Sequence, residues 1–159
     1  IYGRFGFSDV LTAFLAMDTF VELYNGGTVR LSDFVNRKQD KDLLLSVIVR
    51  KGKRQFRYES IRQTQTDFPV LACATVTGIV HGQETWYFSI GARPMKAALL
   101  EKKWEIPRDA SEERIREYAR EVASSFTYGT NMRGSAEYRQ HLAEVLVRRE
   151  ISSILAEER

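Results

Sequence analysis

The sequence has few of the residues that mark secreted, membrane-spanning or metal-binding proteins. Cys73 is the only cysteine among 159 residues, so no disulfide can form within the chain, and we expect a reducing, cytoplasmic compartment. No apolar run approaches the ~20 residues that cross a bilayer. We therefore expect a soluble protein that has no membrane partner.

Residues with catalytic or metal-binding chemistry are equally scarce. The two histidines, His81 and His141, lie far apart, and neither has a cysteine or carboxylate at metal-ligand spacing. The motifs of a nucleophile elbow, a P-loop and a dinucleotide-binding glycine loop do not occur. We predict surface histidines, no metal site and no catalytic residue. Cys73 lies in an apolar run and is predicted to be an inert core residue.

The composition is that of a folded domain with a hydrophobic core, since 43% of the residues are apolar and 11% are aromatic. The net charge of +3 does not by itself indicate nucleic acid or a membrane. Residues 50–57 (RKGKRQFR) are locally basic and could contact phosphate or RNA. A solvated loop followed by a charged edge strand explains them better.

Residues 1–50 are predicted to begin with a helix over residues 8–17, because Ser8 can act as its N-cap and Asp9 favours its first turn. A hairpin follows at residues 20–31, with its turn at Asn25-Gly26-Gly27. Residues 36–42 form a polar connection, and residues 43–49 are a strand that we expect to be buried on both faces. The basic, glycine-containing segment 50–54 marks a boundary.

The rest of the chain is predicted to hold three strands and three helices. The strands, at residues 55–61, 70–80 and 84–90, would form an antiparallel meander because their connections are short. One helix is predicted at residues 94–103. A second begins at Asp109, with Glu112 at capping-box spacing. The last runs from Ser135 to about Glu157, with Leu142, Val145 and Leu146 inside and Arg139, Arg148 and Arg149 outside. The predicted class is α+β, a small antiparallel sheet covered by about three helices.

Four segments, read in order, carry a resemblance that covers nearly the whole chain. They are SDVLTAFLAMD, DLLLSVIV, IRQTQTDFPVLACA, and GARPMKAALLEK together with NMRGSAEYRQHLAEVLVRRE. The most specific piece is the R-G-S-x-x-Y-R-x-x-L pattern that opens the last predicted helix. The set resembles the C-terminal portion of the FAD-binding subunit or domain of the molybdenum hydroxylases, which include xanthine dehydrogenase and carbon monoxide dehydrogenase.

The resemblance implies a division into two parts. Residues 1–50 would complete a second FAD-binding subdomain, and residues 51–159 would be the family's C-terminal domain, a three-stranded antiparallel sheet with a helical bundle. In the family, a glycine-rich loop that binds the FAD pyrophosphate comes shortly before a Ser-Asp helix start. IYGRFG would then be the connector after that loop. We accordingly expect a fragment that lacks the N-terminal FAD-binding half.

The resemblance also implies contacts with FAD. Asp9, beside Ser8, would accept hydrogen bonds from the ribityl or ribose part, although a helix N-terminus also explains a carboxylate there. Leu44 would line the flavin ring with Leu43 as its neighbour; both could equally be strand core. The family often has a lysine near the flavin at the position matching Ser60, give or take one residue. This sequence departs from that pattern, because it reads Tyr58-Glu59-Ser60.

By this resemblance the protein would be an electron-transfer component. A subunit with a molybdopterin cofactor would hydroxylate a substrate, and electrons would pass through 2Fe-2S clusters to FAD and then to NAD or another acceptor. The partners would be the N-terminal half, an iron–sulfur subunit and a molybdenum-cofactor subunit. A non-catalytic interaction module that has lost flavin binding is the alternative, and an RNA-contacting domain is a third.

Overall fold

The computed structural model describes residues 1–38 and 41–157, which form four helices and seven strands. The helices are α1 (Asp9–Ala16), α2 (Leu31–Asn36), α3 (Glu112–Ser124) and α4 (Ala136–Glu157). The strands are β1 (Thr19–Leu23), β2 (Gly27–Arg30), β3 (Leu44–Val49), β4 (Arg54–Ile61), β5 (Leu71–Val80), β6 (Gln83–Gly91) and β7 (Ala98–Lys102). The predicted α+β class is confirmed. The division at residue 50 stays a prediction.

The strands form two antiparallel sheets, with the orders β2-β1-β3 and β4-β5-β6-β7. The hairpin predicted at residues 20–31 is present as β1 and β2, and the predicted meander contains the β5–β6 hairpin. In the β5–β6 hairpin, Val80 pairs with Gln83, and the two residues between them, His81 and Gly82, have φ angles of 52° and 79°. Positive φ at both central residues matches the right-handed twist of the flanking strands. His81 and His141 are exposed, as predicted.

The second sheet has four strands where three were predicted. Residues 94–103 were predicted to be a helix, and this is wrong, because Ala98–Lys102 is β7 and pairs with β6 from Trp86↔Lys102 to Ile90↔Ala98. The strand conformation sends Leu99 and Leu100 to opposite faces, where they pack against two different hydrophobic clusters. Pairing with a free sheet edge thus outweighs the local helix propensity of this segment.

The second sheet is covered on both faces. On one face, Trp86, Phe88 and Ile90 pack against buried residues of α3 and α4. On the other face, Ala74 and Val76 contact Ala16 at the end of α1. Leu146, predicted to lie on the inner side of α4, is fully buried. No helix among residues 1–38 and 41–157 is long and apolar enough to cross a membrane.

Two details of the helices differ from the predictions. Helix α3 begins at Glu112, and its N-cap is Ser111, whose Oγ accepts a hydrogen bond from Arg114 N at 3.2 Å; the predicted cap at Asp109 is wrong. Helix α2 was not predicted, although Leu31, Phe34 and Val35 have helical spacing and are buried. The predicted polar connection after α2 lies partly outside the described residues, because residues 39–40 fall within it.

The strand predicted at residues 43–49 exists as β3, but it is not buried on both faces. Leu43 is 63% exposed and Leu45 is 55% exposed. Strand β3 is at the edge of its sheet and pairs only with β1 among the described strands. A dense apolar run does not distinguish a central strand from an edge strand, because the sequence does not encode the neighbours that cover it.

Candidate functional site

The start of α1 holds two of the predicted site residues. Ser8 is the N-cap of α1, and its Oγ accepts a hydrogen bond from Leu11 N at 3.1 Å. The Asp9 carboxylate accepts from the Tyr58 hydroxyl on one oxygen and from Arg62 Nη2 on the other, both at 2.5 Å. Asp9 therefore joins the helix start to β4 and the loop that follows it.

Arg62 is a functional candidate that was not predicted from the sequence. Alternation along β4 places Tyr58 and Ser60 on one side, and Arg62, just after the strand, bonds to the same Asp9 carboxylate as Tyr58. The pKa of Arg62 is raised, chiefly by its hydrogen bond to Asp9. The cation of this site is thus two positions beyond Ser60, outside the one-residue window in which a lysine was expected. Burial and the Asp9 hydrogen bond raise the pKa of Tyr58, so this hydroxyl remains a neutral donor.

The polar contacts continue from Arg62 to the loop before α4. Arg62 Nη1 donates to the carbonyl oxygen of Asp67 at 2.7 Å. The Asp67 carboxylate accepts from Arg133 Nη2 at 3.3 Å. The hydrogen bonds therefore run from Asp9 through Arg62 to the backbone of Asp67, and from the Asp67 side chain to Arg133; these four residues are called the arginine–aspartate chain. It spans three segments that are distant in sequence.

The second arginine of the R-G-S-x-x-Y-R-x-x-L pattern is Arg139, a residue of α4 whose contacts explain its place in the pattern. It was predicted to face outward, which is wrong, because the residue is only 1% exposed. Its Nε donates to Val70 O at 2.9 Å, its Nη1 donates to the carbonyls of Gly129 and Gly134, and its Nη2 donates to Asn131 Oδ1. One buried guanidinium therefore ties the loop that carries Arg133 to the start of β5.

Exposed aromatic rings stand beside the arginine–aspartate chain. Phe5 and Phe7 stack with centroids 5.4 Å apart, and Phe7 contacts Phe68 at 4.1 Å. The Arg133 guanidinium carbon lies 5.6 Å from the centre of the Phe68 ring. All three phenylalanines are more than 40% exposed, so their apolar surface remains available to a ligand or a partner.

The rings of Phe7 and Phe68 border a cavity of about 270 Å³. Its lining consists of Gly6, Phe7, Phe68, Pro69, Ala92, Pro94, Asn131 and Arg133. Arg133 Nε is buried and has no hydrogen-bond partner among the described residues. Aromatic faces together with an arginine favour a flat ring that carries electronegative atoms.

The structure brings some of the predicted site residues together and separates others. Ser60 lies on β4 on the same side as Tyr58. Because Tyr58 donates to Asp9, Ser60 is on the side of the strand that faces Ser8 and Asp9 at the start of α1. Leu43 and Leu44 lie on the other sheet. Leu43 is exposed, and its carbonyl accepts from Tyr24 N at 2.9 Å, while Leu44 packs partly buried against the cluster that contains Leu23 and Phe34.

A second polar cluster is buried between α4 and the second sheet. Glu150 is 1% exposed, and its carboxylate accepts from the Thr75 hydroxyl at 2.5 Å, from the Cys73 thiol at 3.2 Å and from Glu59 N at 3.1 Å. Burial raises the pKa of Glu150 to about 8 and raises that of Cys73 well above its usual range. The prediction that Cys73 is a core residue is confirmed, and its thiol is a poor nucleophile.

The basic segment 50–57 makes contacts within the fold. The Arg50 guanidinium carbon lies 4.2 Å from the Phe20 ring centre, Arg54 pairs with Asp18 at 3.1 Å, and Arg57 Nε donates to Ser153 Oγ at 2.8 Å. These contacts favour the interpretation as a charged edge strand over RNA binding.

Comparisons with known proteins identify the family. A model of the CO dehydrogenase flavoprotein C-terminal domain matches residues 56–154, and no curated protein matches the sequence. Quinoline 2-oxidoreductase from Pseudomonas putida 86 matches with a TM-score of 0.76 at 13% identity, over 97% of this chain and 58% of its own. Reconstituted CO dehydrogenase from Oligotropha carboxidovorans matches with a TM-score of 0.72 at 17% identity, over 98% and 59%. CO dehydrogenase from Hydrogenophaga pseudoflava gives 0.72 at 15% identity, over 93% and 56%.

At these identities the solved structures show a shared fold, and the present chain spans less than three fifths of the length of each. The family model covers well over half of the chain, including all of β5, β6, β7 and α3. It also contains Arg62, Asp67, Arg133 and Arg139. The chain therefore belongs to the family of CO dehydrogenase flavoprotein C-terminal domains.

Proposed function

We propose that this chain is part of the FAD-binding, electron-transfer component of a molybdenum-dependent hydroxylase or dehydrogenase. Electrons would arrive from iron–sulfur clusters and leave from FAD to NAD or another acceptor. The observation that carries the proposal is the cavity lined by Phe7, Phe68 and Arg133; Phe7 directly precedes the predicted FAD contacts Ser8 and Asp9 in the sequence. FAD would supply the redox chemistry, and the residues of this chain would bind and orient it.

The cavity fits one part of FAD. Its volume of about 270 Å³ is just below the range of ~300–1,000 Å³ that is usual for small-molecule pockets, so it suits the edge of a ring system. The unsatisfied Nε of Arg133 shows that this guanidinium has donor capacity left. The pyrophosphate contacts are assigned to the N-terminal FAD-binding half, because a helix start preceded by a glycine-rich loop is the usual anion site.

Asp9 has two roles in this proposal. It fixes Arg62 and Tyr58, and it can also accept from a ribityl hydroxyl, because each carboxylate oxygen has two lone pairs and uses one of them here. Arg62 would supply the cation that the family often provides with a lysine. Leu43 and Leu44 remain the residues predicted to line the flavin ring. Ser60 lies beside Tyr58 on the same side of β4 and shares a side-chain hydrogen bond with it. The predicted partners are an iron–sulfur subunit and a molybdopterin-containing subunit.

A non-catalytic interaction module is the second candidate. The specific observation in its favour is that both oxygens of Asp9 are already hydrogen-bonded within the protein. The carboxylate therefore has a structural explanation that requires no flavin. The exposed rings of Phe5, Phe7 and Phe68 would then form a protein contact.

The flavin content of the native subunit, purified from its source cells, separates the two candidates. We expect a visible flavin absorption band and about one FAD per subunit after denaturation and chromatography. Asp9→Asn should weaken FAD retention about tenfold, close to 1.4 kcal/mol, because an amide does not hold the Arg62 cation. The matched control is Asp18→Asn, which removes a carboxylate that pairs with Arg30 and Arg54.

Three outcomes are informative. A native subunit without flavin would contradict the proposal and leave the interaction module. A subunit with FAD whose retention is unchanged by Asp9→Asn would keep the flavoprotein assignment and remove Asp9 from the site. Equal losses for Asp9→Asn and Asp18→Asn would indicate general destabilisation, which a thermal unfolding curve of each variant checks.

A further inference from the structure

A second cavity, of about 100 Å³, lies at the junction of the two sheets. Its lining comes from the end of α1 and the turn after it, from β1, from the β2–α2 junction, and from β6 and β7. It shares no lining residue with the cavity at Phe7, Phe68 and Arg133. Small-molecule sites occur preferentially where two structural units meet, so the chemistry of this lining indicates which ligand it would take.

Thr19 gives the junction cavity a buried hydroxyl that the fold does not use. The residue lines the cavity and is 4% exposed. Its Oγ1 has no hydrogen-bond partner within residues 1–38 and 41–157. A buried hydroxyl without a partner lowers the stability of the folded state. Its presence therefore calls for a role other than stability.

Three further polar side chains of the lining are also uncommitted. Ser32, Tyr87 and Glu101 line the cavity, and their side chains make no hydrogen bond or ion pair in the part of the chain that the structure describes. Tyr87 and Glu101 are cross-strand neighbours on β6 and β7. Burial, together with the Glu101 charge, raises the pKa of Tyr87, so its hydroxyl remains neutral. Three hydroxyls and one carboxylate thus surround a single cavity.

The charge that remains unbalanced at this cavity is negative. Asp18, the other carboxylate of the lining, pairs with Arg30 at 3.3 Å and with Arg54 at 3.1 Å. Glu101 has no cation of this kind among the described residues. A free carboxylate beside several hydroxyl acceptors suits a cation that donates several hydrogen bonds, which is the chemistry of a primary ammonium group.

The dimensions of the cavity favour a slender ligand. A cavity of ~150 Å³ holds benzene, so about 100 Å³ admits a head group of only a few non-hydrogen atoms. A neighbouring cavity of about 190 Å³ shares Leu15, Ser32 and Leu99 with the first. It lies between α2 and the start of β7, and most of its lining residues are apolar. A ligand with a polar head and an aliphatic chain would fill both.

We propose that these two neighbouring cavities bind a primary amine with a short aliphatic chain. The ammonium group would donate to the Glu101 carboxylate, to Thr19 Oγ1 and to the Tyr87 hydroxyl. The chain would lie between Leu15 and Leu99 and extend into the second cavity. This ligand is not the flavin and its binding does not require one, so the inference goes beyond the proposed function. Because both sheets contribute to the lining, the bound amine would also stabilise their junction.

Isothermal titration calorimetry of the native flavoprotein subunit with propylammonium and hexylammonium chloride tests the inference. We expect propylammonium to bind with a Kd of about 1 mM, an ordinary value for a ligand of its size. Hexylammonium should bind at least about tenfold more tightly, because each buried methylene adds about fourfold. Hexanol and hexanoate, which lack the positive charge, should show no measurable binding.

Two variants locate the amine. Glu101→Gln should weaken hexylammonium binding about tenfold, whereas Glu105→Gln, which removes an exposed carboxylate outside both cavities, should leave it unchanged. Thr19→Val removes the unpaired hydroxyl with little change in shape. It should weaken binding about fivefold and yet raise the midpoint of thermal unfolding, because a buried polar group without a partner is lost.

Each outcome decides part of the inference. Absence of hexylammonium binding, or equal binding of hexylammonium and hexanol, would overturn it, whether or not the subunit carries flavin. Equal losses for Glu101→Gln and Glu105→Gln would overturn the assignment to this cavity. A lower unfolding midpoint for Thr19→Val would show a structural hydroxyl and remove Thr19 from the site. Binding of the amine that depends on Glu101 in a flavin-free subunit would support the inference and contradict the proposed function alone.

Discussion

The two sheets of this protein use similar apolar sequences and are covered to very different extents. The β4-β5-β6-β7 sheet has helices on both faces, and Trp86, Phe88 and Ile90 are completely buried. The β2-β1-β3 sheet has one covered face, where Val21 packs with Leu31 and Phe34, and it ends in the exposed strand β3. Apolar content alone therefore does not determine burial. What matters is whether the chain itself provides the covering elements.

The second sheet also buries two ionisable side chains against its covering helix α4. Arg139 and Glu150 are each 1% exposed, and neither is paired with an opposite charge in the ion pairs of the described residues. Hydrogen bonds to backbone and hydroxyl groups satisfy them instead. Substitutions at these buried groups should therefore lower the free energy of unfolding strongly. The first sheet differs, because its edge strand β3 has no pairing partner on its outer side among the described strands. Three substitutions probe that difference.

Arg139→Met should have the largest effect. It leaves the carbonyls of Val70 and Gly129 without the Arg139 donor and leaves that of Gly134 with Asn131 N alone, and we expect a loss of about 3–5 kcal/mol in the free energy of unfolding. Urea denaturation followed by circular dichroism measures it. Arg149→Met, an exposed position on the same helix, should cost less than about 1 kcal/mol. Similar losses for both would show that Arg139 does not hold the two loops together.

Glu150→Gln should reveal the buried carboxyl through its pH dependence. With a folded-state pKa of about 8 against an ordinary value of 4.5, the folded chain takes up a proton between these values. The contribution to stability is therefore largest at the low end of this window and falls as pH rises through it, by about 1.4 kcal/mol per unit, until it levels off near the folded pKa.

Glutamine keeps a neutral side chain at every pH, so its stability does not fall with this titration. The free energy of unfolding of the variant, relative to that of the wild type, should therefore rise by about 2–3 kcal/mol from pH 6 to pH 8. Urea midpoints at the two pH values provide the measurement. Glu144→Gln, on the partly exposed side of α4, should show no comparable trend. A constant difference between wild type and Glu150→Gln would mean that Glu150 is already ionised at pH 6.

Gly91→Ala tests the contact between helix α1 and the second sheet. Gly91 is the last residue of β6, and α1 packs against that strand. A Cβ on Gly91 would lie 2.0 Å from Thr12 Oγ1 and 3.3 Å from Thr12 Cβ, so the helix must shift. We expect a loss of about 1–3 kcal/mol in the free energy of unfolding. Adding Thr12→Ala should recover part of it, because the closest atom is then gone. If the two substitutions were simply additive, α1 would not pack against β6 as described.

Much of the fold was predictable because it depends on local periodicity. The helices α1, α3 and α4, the two hairpins and strands β4, β5 and β6 all follow from spacing, caps and turn residues within short windows. The start of α1 at Ser8 is of the same kind. The family resemblance was likewise carried by ordered local segments, above all by the pattern from Arg133 to Leu142.

The remaining features depend on contacts between distant segments. Residues 98–102 became a strand because β6 offered a free edge, and Arg139 is buried because loops at Val70, Gly129 and Gly134 converge on it. The arginine–aspartate chain joins residues that are up to 124 positions apart, from Asp9 to Arg133. Local sequence patterns determine where helices, strands and turns form. Which charge meets which partner, and which apolar strand remains uncovered, were decided only when the segments packed together.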